Sequence, residues 1–110
     1  MMKVGDIMAT NPQSVDVHEF VTRAREIMRD YNYDSLPVVE NGRVAGIITL
    51  QDVINITSTR SDVTVGGYVR LDVPRLTPDT GLPRAAFVLL HTDEGRVPVV
   101  DGSSRLLGLL

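Results

Sequence analysis

Thr49 and Asp52 stand three positions apart, where a β-rich run gives way to a helical pattern. Residues 44–50 predict a strand and residues 51–56 predict a helix. A helix start presents unpaired backbone amides and a positive partial charge, which favour a phosphate beside the Thr49 hydroxyl. Asp52, one turn on, presents a carboxylate that can accept hydrogen bonds from neighbouring hydroxyl groups, whereas it would repel a phosphate. The same spacing is also a plain capping arrangement, with Thr49 at the N-cap and Asp52 at N3, so both interpretations stand.

The other residues that could carry chemistry form no recognisable catalytic or metal-binding motif. His18 and His91 are single, in or beside helical segments, and are interpreted as solvated rather than as metal ligands or acid–base groups. Asp93 and Glu94 fall in a predicted turn and are interpreted as solvated loop residues. The sequence has no P-loop, no GxGxxG or GxSxG motif and no cluster of metal ligands. A catalytic function therefore finds almost no support.

Composition and charge narrow the class of protein. The 110 residues are 43% hydrophobic and 23% charged, with a formal net charge of −3, which is ordinary for a folded protein. The basic residues are scattered singly, so no surface for nucleic acid or anionic lipid is expected. No apolar run approaches the roughly 20 residues of a membrane span, and no signal peptide is evident, so we expect a cytoplasmic protein. The absence of cysteine fits a reducing compartment.

The chain repeats itself at an offset of 61 or 62 residues. Val4-Gly5 is matched by Val65-Gly66, Leu36-Pro37-Val38-Val39 by Val97-Pro98-Val99-Val100, and Gly46-Ile47-Ile48 by Gly108-Leu109-Leu110. Two copies of one unit explain these matches better than coincidence does. We therefore predict a first repeat over residues 1–57, a linker over 58–64 and a second repeat over 65–110.

Each repeat is predicted to run strand, helix, strand, turn, strand, helix. In the first repeat, Asp16 and Glu19 resemble a capping box and place the start of the first helix near residue 16. Strands over 36–39 and 44–50 flank an Asn41-Gly42 pair, a strong hairpin signal. Their near-continuous apolar character favours a sheet covered by helices.

The second repeat follows the same plan but stops early. An extended piece over 75–77, a helix over 82–91 and strands over 96–100 and 105–110 are predicted, and the closing helix is missing. Either a tail is cut or unrecorded, or the pair is naturally short and a partner chain covers its edge. The last strand would leave apolar side chains at that edge, namely Leu106, Leu107, Leu109 and Leu110. We therefore expect a homodimer.

The order of these motifs resembles the CBS domain family, whose units occur in tandem and pack as a disc-shaped pair. The resemblance rests on Asp6-Ile7-Met8, a helix carrying Ala24 and Met28, the Leu-Pro-Val-Val strand, the Asn-Gly turn and the segment over residues 46–52. It implies an α/β (α+β) fold of two β-α-β-β-α repeats packed as a pseudo-symmetric pair, with the second repeat truncated before its last helix.

The resemblance also implies a site. Family members hold a nucleotide between the repeats, with a Gly-hydrophobic-x-Thr/Ser-x-x-Asp segment on the ribose and phosphate and two other segments around the base. The residues that match are Gly46, Ile47, Thr49 and Asp52 for the first segment, and Asn11, Pro12, Ser35, Leu36 and Pro37 for the other two. Pro37 and Pro98 can equally mark the starts of edge strands. The second repeat has no Thr-x-x-Asp.

These features favour a regulatory module that requires no cofactor and binds AMP, ADP, ATP or S-adenosylmethionine. Its ligand would shift a homodimer between arrangements that an unidentified effector protein reads. The alternative is a scaffold that has lost its ligand and only dimerises. The residues leave the identity of the ligand, and the choice between a parallel and an antiparallel dimer, open.

Overall fold

Two three-stranded sheets form the centre of the molecule, in a computed structural model that describes residues 1–60 and 62–110. The elements in chain order are α1 Val4–Ile7, β1 Ala9–Thr10, β2 Val15–Asp16, α2 Val21–Tyr31, β3 Ser35–Glu40, β4 Arg43–Thr49, α3 Leu50–Thr57, a 3-10 turn Val65–Gly67, α4 Leu82–His91, β5 Pro98–Val100 and β6 Leu106–Leu109. One sheet has the order β2-β3-β4 and the other β1-β6-β5. Within the described ranges, no helix is long and apolar enough to cross a membrane.

The first sheet carries the β4–α3 junction. β2 and β3 are parallel and α2 connects them, whereas β3 and β4 form an antiparallel hairpin. The hairpin turns at Asn41 and Gly42, which both take positive φ angles of 51° and 77°, as a type I′ turn requires. The hairpin predicted from the Asn-Gly pair is therefore confirmed.

Helix α2 covers this sheet through one apolar face. Val21, Ala24, Ile27 and Met28 follow helical spacing and are at most 4% exposed, while the intervening residues are mostly polar. The helix ends because Asn32 adopts a left-handed conformation and donates its backbone N–H to the Met28 carbonyl. This packing fixes β3, and with it the Ser35 end of the hairpin, relative to α3.

The predicted start of this helix near residue 16 is wrong, since α2 begins at Val21. The turn seen in the sequence does form, with the Asp16 N–H donating to Glu19 Oε1 at 3.2 Å. The backbone beyond it is held by other segments, however. The Val17 N–H donates to the Val39 carbonyl, and the Glu19 carbonyl accepts from the Val65 N–H. Residues 17–20 therefore cannot adopt helical hydrogen bonding until these contacts end.

The opening segment of each repeat packs with the other repeat. Val4 of α1 is fully buried in a cluster formed by second-repeat residues, namely Leu76, Ala85, Val97 and Val99. Val65, its counterpart, is buried in the core of the first repeat. β1 likewise pairs with β6, and Arg70 pairs with Ile47 of β4. The two repeats are therefore joined by reciprocal exchange, and neither has a complete core by itself.

This exchange corrects the expectation for the last strand. β6 was expected to present an apolar edge, but it is the central strand of its sheet, between β1 and β5. Ala9 and Thr10 are aligned with Leu109 and Gly108, and Leu109 is only 2% exposed. The free edge of β6 that the sequence predicted is thus covered by β1 of the first repeat.

Candidate functional site

Thr49 occupies the junction between β4 and α3. Its backbone is extended, and its Oγ1 accepts a hydrogen bond from the Asp52 N–H at 3.2 Å. The next amide, that of Leu50, donates to the Asp34 carbonyl at 2.8 Å. The capping interpretation of Thr49 is therefore confirmed, and two amides of the helix start already have partners within the chain.

Asp52 is paired with a residue that sequence reasoning missed. Arg70 donates from Nε to Asp52 Oδ2 at 2.9 Å and from Nη2 to Oδ1 at 3.1 Å. Its Nη1 donates to Glu94 Oε2 at 3.2 Å, and Glu94 also accepts from the Thr92 hydroxyl. The guanidinium thus bridges a carboxylate of the first repeat and one that follows α4 in the second.

The electrostatics of the Asp52–Arg70 pair favour the charged forms of both groups. The hydrogen bonds from Arg70 hold the pKa of the Asp52 carboxyl below its usual range. Asp52, and then Glu94, raise the pKa of the Arg70 guanidinium. The Glu94 side chain is only 9% exposed, so its interpretation as a solvated loop residue is wrong. The hydrogen bonds from Arg70 and Thr92 account for the burial of Glu94, because a carboxylate leaves water at low cost only when it is paired.

Backbone pairing with β4 positions Arg70. The Ile47 N–H donates to the Arg70 carbonyl at 3.1 Å, and the Arg70 N–H donates to the Ile47 carbonyl at 2.8 Å. A side chain at Gly46 would overlap the Arg70 carbonyl, so only glycine permits this approach. Gly46 and Ile47, both predicted as site residues, therefore hold the segment that delivers Arg70 to Asp52.

A cavity of about 340 Å³ opens beside this junction. Its lining comprises Asp34, Thr49, Leu50, Gln51, Ile54, Asp93, Glu94 and Gly95. A larger cavity of about 490 Å³ lies against the Val65–Gly67 turn and contains none of the predicted site residues. The smaller cavity is the candidate site because Thr49 and Glu94 line it and Arg70 is bonded to Glu94.

The lining is acidic. Three of its residues, Asp34, Asp93 and Glu94, are carboxylates, and Arg70 is bonded to one of them. Arg96 lies beside the rim, with its Nε 3.7 Å from Asp34 Oδ1 and its guanidinium over the Tyr33 ring. An anionic group in this cavity would therefore depend on the α3 start and on these two arginines.

The β3–β4 hairpin brings several predicted residues together. Ser35 is aligned with Thr49, Leu36 with Ile48 and Pro37 with Ile47. Aligned residues share a face of the sheet, so Ser35 and Thr49 project to the same side. The Ser35 hydroxyl is buried and has no hydrogen-bond partner among the described residues. Leu36 and Ile47 are fully buried, and Leu36 belongs to the core of the first repeat.

Asn11 and Pro12 are not among the residues that line this cavity. They follow β1, which belongs to the second sheet, and Asn11 takes a positive φ of 50°. Among the described residues, no hydrogen bond or strand pairing joins this loop to Thr49 or Asp52. Besides residues of the first repeat, Arg70 and Glu94 of the second repeat lie at this junction. The offset of 61 aligns Arg70 with Ala9, a residue without charge, so the repeat itself carried no signal for this arginine.

The two histidines are exposed and bonded locally. His18 Nδ1 lies 2.8 Å from Asp16 Oδ1, and His91 Nδ1 lies 2.7 Å from the Phe87 carbonyl. Within residues 1–60 and 62–110, no group of three or more His, Asp or Glu residues could hold a metal ion.

Comparison with known proteins identifies what the fold is similar to. The family model of the CBS domain matches residues 4–58 and again residues 65–110. An uncharacterised 17.7 kDa protein of Acidianus ambivalens is 30% identical over 98% of this chain and 67% of its own length. Further relatives are longer proteins, of which the chain spans 41% and 22%.

Two solved structures have the same fold. The crystal structure of CBSX2, a CBS-pair protein of Arabidopsis thaliana, in complex with AMP is 27% identical, with a TM-score of 0.88 over 100% of this chain and 90% of that one. The CBS domain pair of MJ0100, solved with 5′-methylthioadenosine and S-adenosyl-L-methionine, is 24% identical, with a TM-score of 0.87 over 100% of this chain and 89% of that one.

Proposed function

Because this chain belongs to the CBS domain family and consists of a tandem pair of such domains, we propose that it is a regulatory module binding an adenosyl ligand between its repeats. One observation carries the proposal: Thr49 and Asp52 lie beside a cavity at which both repeats contribute side chains. A ligand there would contact both repeats and could bias their arrangement.

The polar groups suggest how the ligand would lie. The ribose diol would hydrogen-bond the Asp52 carboxylate, and a phosphate would lie near the Thr49 hydroxyl and the start of α3. Leu50 and Ile54 supply apolar surface in the cavity, against which a base can pack.

The acidic lining ranks the candidate ligands. AMP carries fewer negative charges than ADP or ATP, and S-adenosylmethionine carries a sulfonium cation. Each added phosphate would meet Asp34, Asp93 and Glu94 at close range. We therefore expect affinity to fall from AMP to ADP to ATP, with S-adenosylmethionine not disfavoured by charge. CBSX2, solved with AMP, supports the adenosyl class.

Signalling would proceed through a homodimer in the cytoplasm, without catalysis. Two exposed apolar side chains on α4 favour a dimer interface there, because large apolar groups in water often mark a contact surface. They are Phe87, which is 58% exposed, and Leu90, which is 82% exposed. A ligand that favours one arrangement of the dimer would change the surface that an effector protein meets. Sedimentation of the wild type and of Leu90→Asp tests this step, since only the wild type is expected to dimerise.

A thermal-shift screen tests the ligand proposal. AMP, ADP, ATP and S-adenosylmethionine are each added to the wild type, to Asp52→Ala and to Asp79→Ala, whose carboxylate is 91% exposed and distant in sequence. A ligand at 100 times its dissociation constant adds about 2.7 kcal/mol of stability, or many degrees in Tm. We expect a shift that Asp52→Ala abolishes and Asp79→Ala retains. Equal shifts in all three proteins would place the ligand elsewhere.

The ligand-free scaffold remains the second candidate because the site is internally satisfied. Thr49 caps α3, and both oxygens of Asp52 accept from Arg70. The second repeat also lacks a Thr-x-x-Asp segment. An unchanged Tm with every adenosyl ligand, together with a tight dimer in solution, would favour this function over the first.

A further inference from the structure

We propose that Arg70 is an internal competitor for the ligand at Asp52, so that binding requires the ion pair between the repeats to open. The inference rests on the proposed function and deepens it, because it names the contact that sets affinity and couples the ligand to the domain junction. Arg70 is a positioning residue. Its guanidinium and the ligand compete for the Asp52 carboxylate.

The geometry of the pair sets up the competition. Arg70 binds side-on, with Nε and Nη2 on the two different oxygens of Asp52. A planar guanidinium in this position takes the outward edge of the carboxylate, where its hydrogen bonds are strongest. A ribose diol also presents two adjacent donors and binds the same edge. The diol and the guanidinium therefore cannot both bind Asp52 side-on.

Arg70 has a second anchor that would receive it when it leaves. Its Nη1 already donates to Glu94 at 3.2 Å, and that carboxylate is also bonded to the Thr92 hydroxyl. Its backbone is fixed by two hydrogen bonds to Ile47. Displacement thus needs only a rotation of the side chain toward Glu94, with no unfolding of the segment.

The consequence for regulation follows from where the groups belong. Asp52 lies on α3 of the first repeat, whereas Arg70 and Glu94 lie in the second. A bound ligand would exchange a side-chain link between the repeats for contacts of its own. The energy of the Asp52–Arg70 pair is therefore subtracted from ligand affinity, and it resists any change of arrangement at the junction.

Calorimetry with adenosine tests the competition, because adenosine has the diol but no phosphate that Arg70 might bind. We compare the wild type with Arg70→Gln, which removes the charge, and with Arg70→Lys, which retains the charge but cannot bind side-on. Arg105→Gln is the matched control, since it breaks an exposed Arg–Asp pair that lies within one repeat.

We expect Arg70→Gln to bind adenosine about fivefold more tightly than the wild type, the size expected for releasing a partly exposed pair. Arg70→Lys should fall between them, and Arg105→Gln should match the wild type. If Arg70→Gln does not fold, as judged by circular dichroism, Arg70→Lys carries the same test with the same sign.

Each outcome separates the inference from the function beneath it. Binding to Arg70→Gln that equals or falls below binding to the wild type overturns the competition and leaves the site intact. Binding to Arg70→Gln alone supports the competition. No heat from the wild type or from either Arg70 variant at millimolar adenosine overturns the proposed function, and with it the inference.

Discussion

The Asp52 carboxylate of the first repeat and the Arg70 guanidinium of the second meet edge to edge, with Nε–Oδ2 at 2.9 Å and Nη2–Oδ1 at 3.1 Å. This pair makes the candidate ligand site and the junction between the repeats the same place. The carboxylate that is proposed to bind a ribose therefore also links the first repeat to the second.

The Asp52–Arg70 pair makes stability depend on pH. Because the folded pKa of Asp52 lies below its unfolded value of about 3.9, its contribution is complete above that value and is lost as pH falls through the folded pKa. The free energy of unfolding of the wild type should exceed that of Asp52→Asn by about 1 kcal/mol at pH 7, since Arg70 is partly exposed. Urea titrations between pH 2 and pH 7 should show the gap closing below about pH 4; a gap that is constant across the range would contradict this assignment.

Thr49 stabilises the start of α3. Replacing it with Ala removes the acceptor of the Asp52 N–H and should cost about 1 kcal/mol in the free energy of unfolding. Thr49→Ser keeps the hydroxyl and should lose much less. Urea denaturation compares the two, and equal losses would mean that the methyl group rather than the cap matters.

Gly46 permits the close approach of the segment that carries Arg70. Gly46→Ala would place a methyl group against the Arg70 carbonyl and should force the Ile47–Arg70 pairing apart. We expect a loss of more than about 2 kcal/mol, together with weaker amide protection at Ile47 and Arg70. Gly102→Ala is the control, since a methyl group there meets nothing within 4 Å. Similar Tm values for the two variants would show that the backbone contact contributes little.

Truncation of Val4 tests whether the opening segment of the first repeat packs into the core of the second. Truncating this fully buried side chain should cost about 2 kcal/mol, whereas truncating Met2, which is 55% exposed, should cost little. Chemical-shift changes in Val4→Ala should centre on Leu76, Ala85 and Val97 of the second repeat. Changes confined to the core of the first repeat would be inconsistent with the exchange.

Local signals predicted much of the fold. The Asn41-Gly42 turn, the Thr49 cap and the bounds of α4 at Leu82 and His91 all follow from residues within a few positions of one another. Such features depend on backbone preference and short-range hydrogen bonds, which the sequence displays directly.

Contacts between distant segments could not be predicted from these local signals. The delayed start of α2 at Val21, the central position of β6 and the Asp52–Arg70 pair all depend on segments that are far apart in the chain. The repeat predicted two equivalent units but not that each unit completes the core of the other. For that reason the repeat carried no indication that Arg70 and Glu94 lie beside Asp52.

An NMR titration of the ¹⁵N-labelled chain with AMP tests whether an adenosyl ligand binds at the junction of the repeats. We expect the backbone amides of Thr49, Asp52 and Glu94 and the Nε–H of Arg70 to shift together along one saturable curve, and Asp52→Asn to weaken AMP binding at least tenfold. Shifts that centre on the larger cavity beside Val65–Gly67, or no saturable shifts at millimolar AMP, would contradict an adenosyl site at the junction of the repeats.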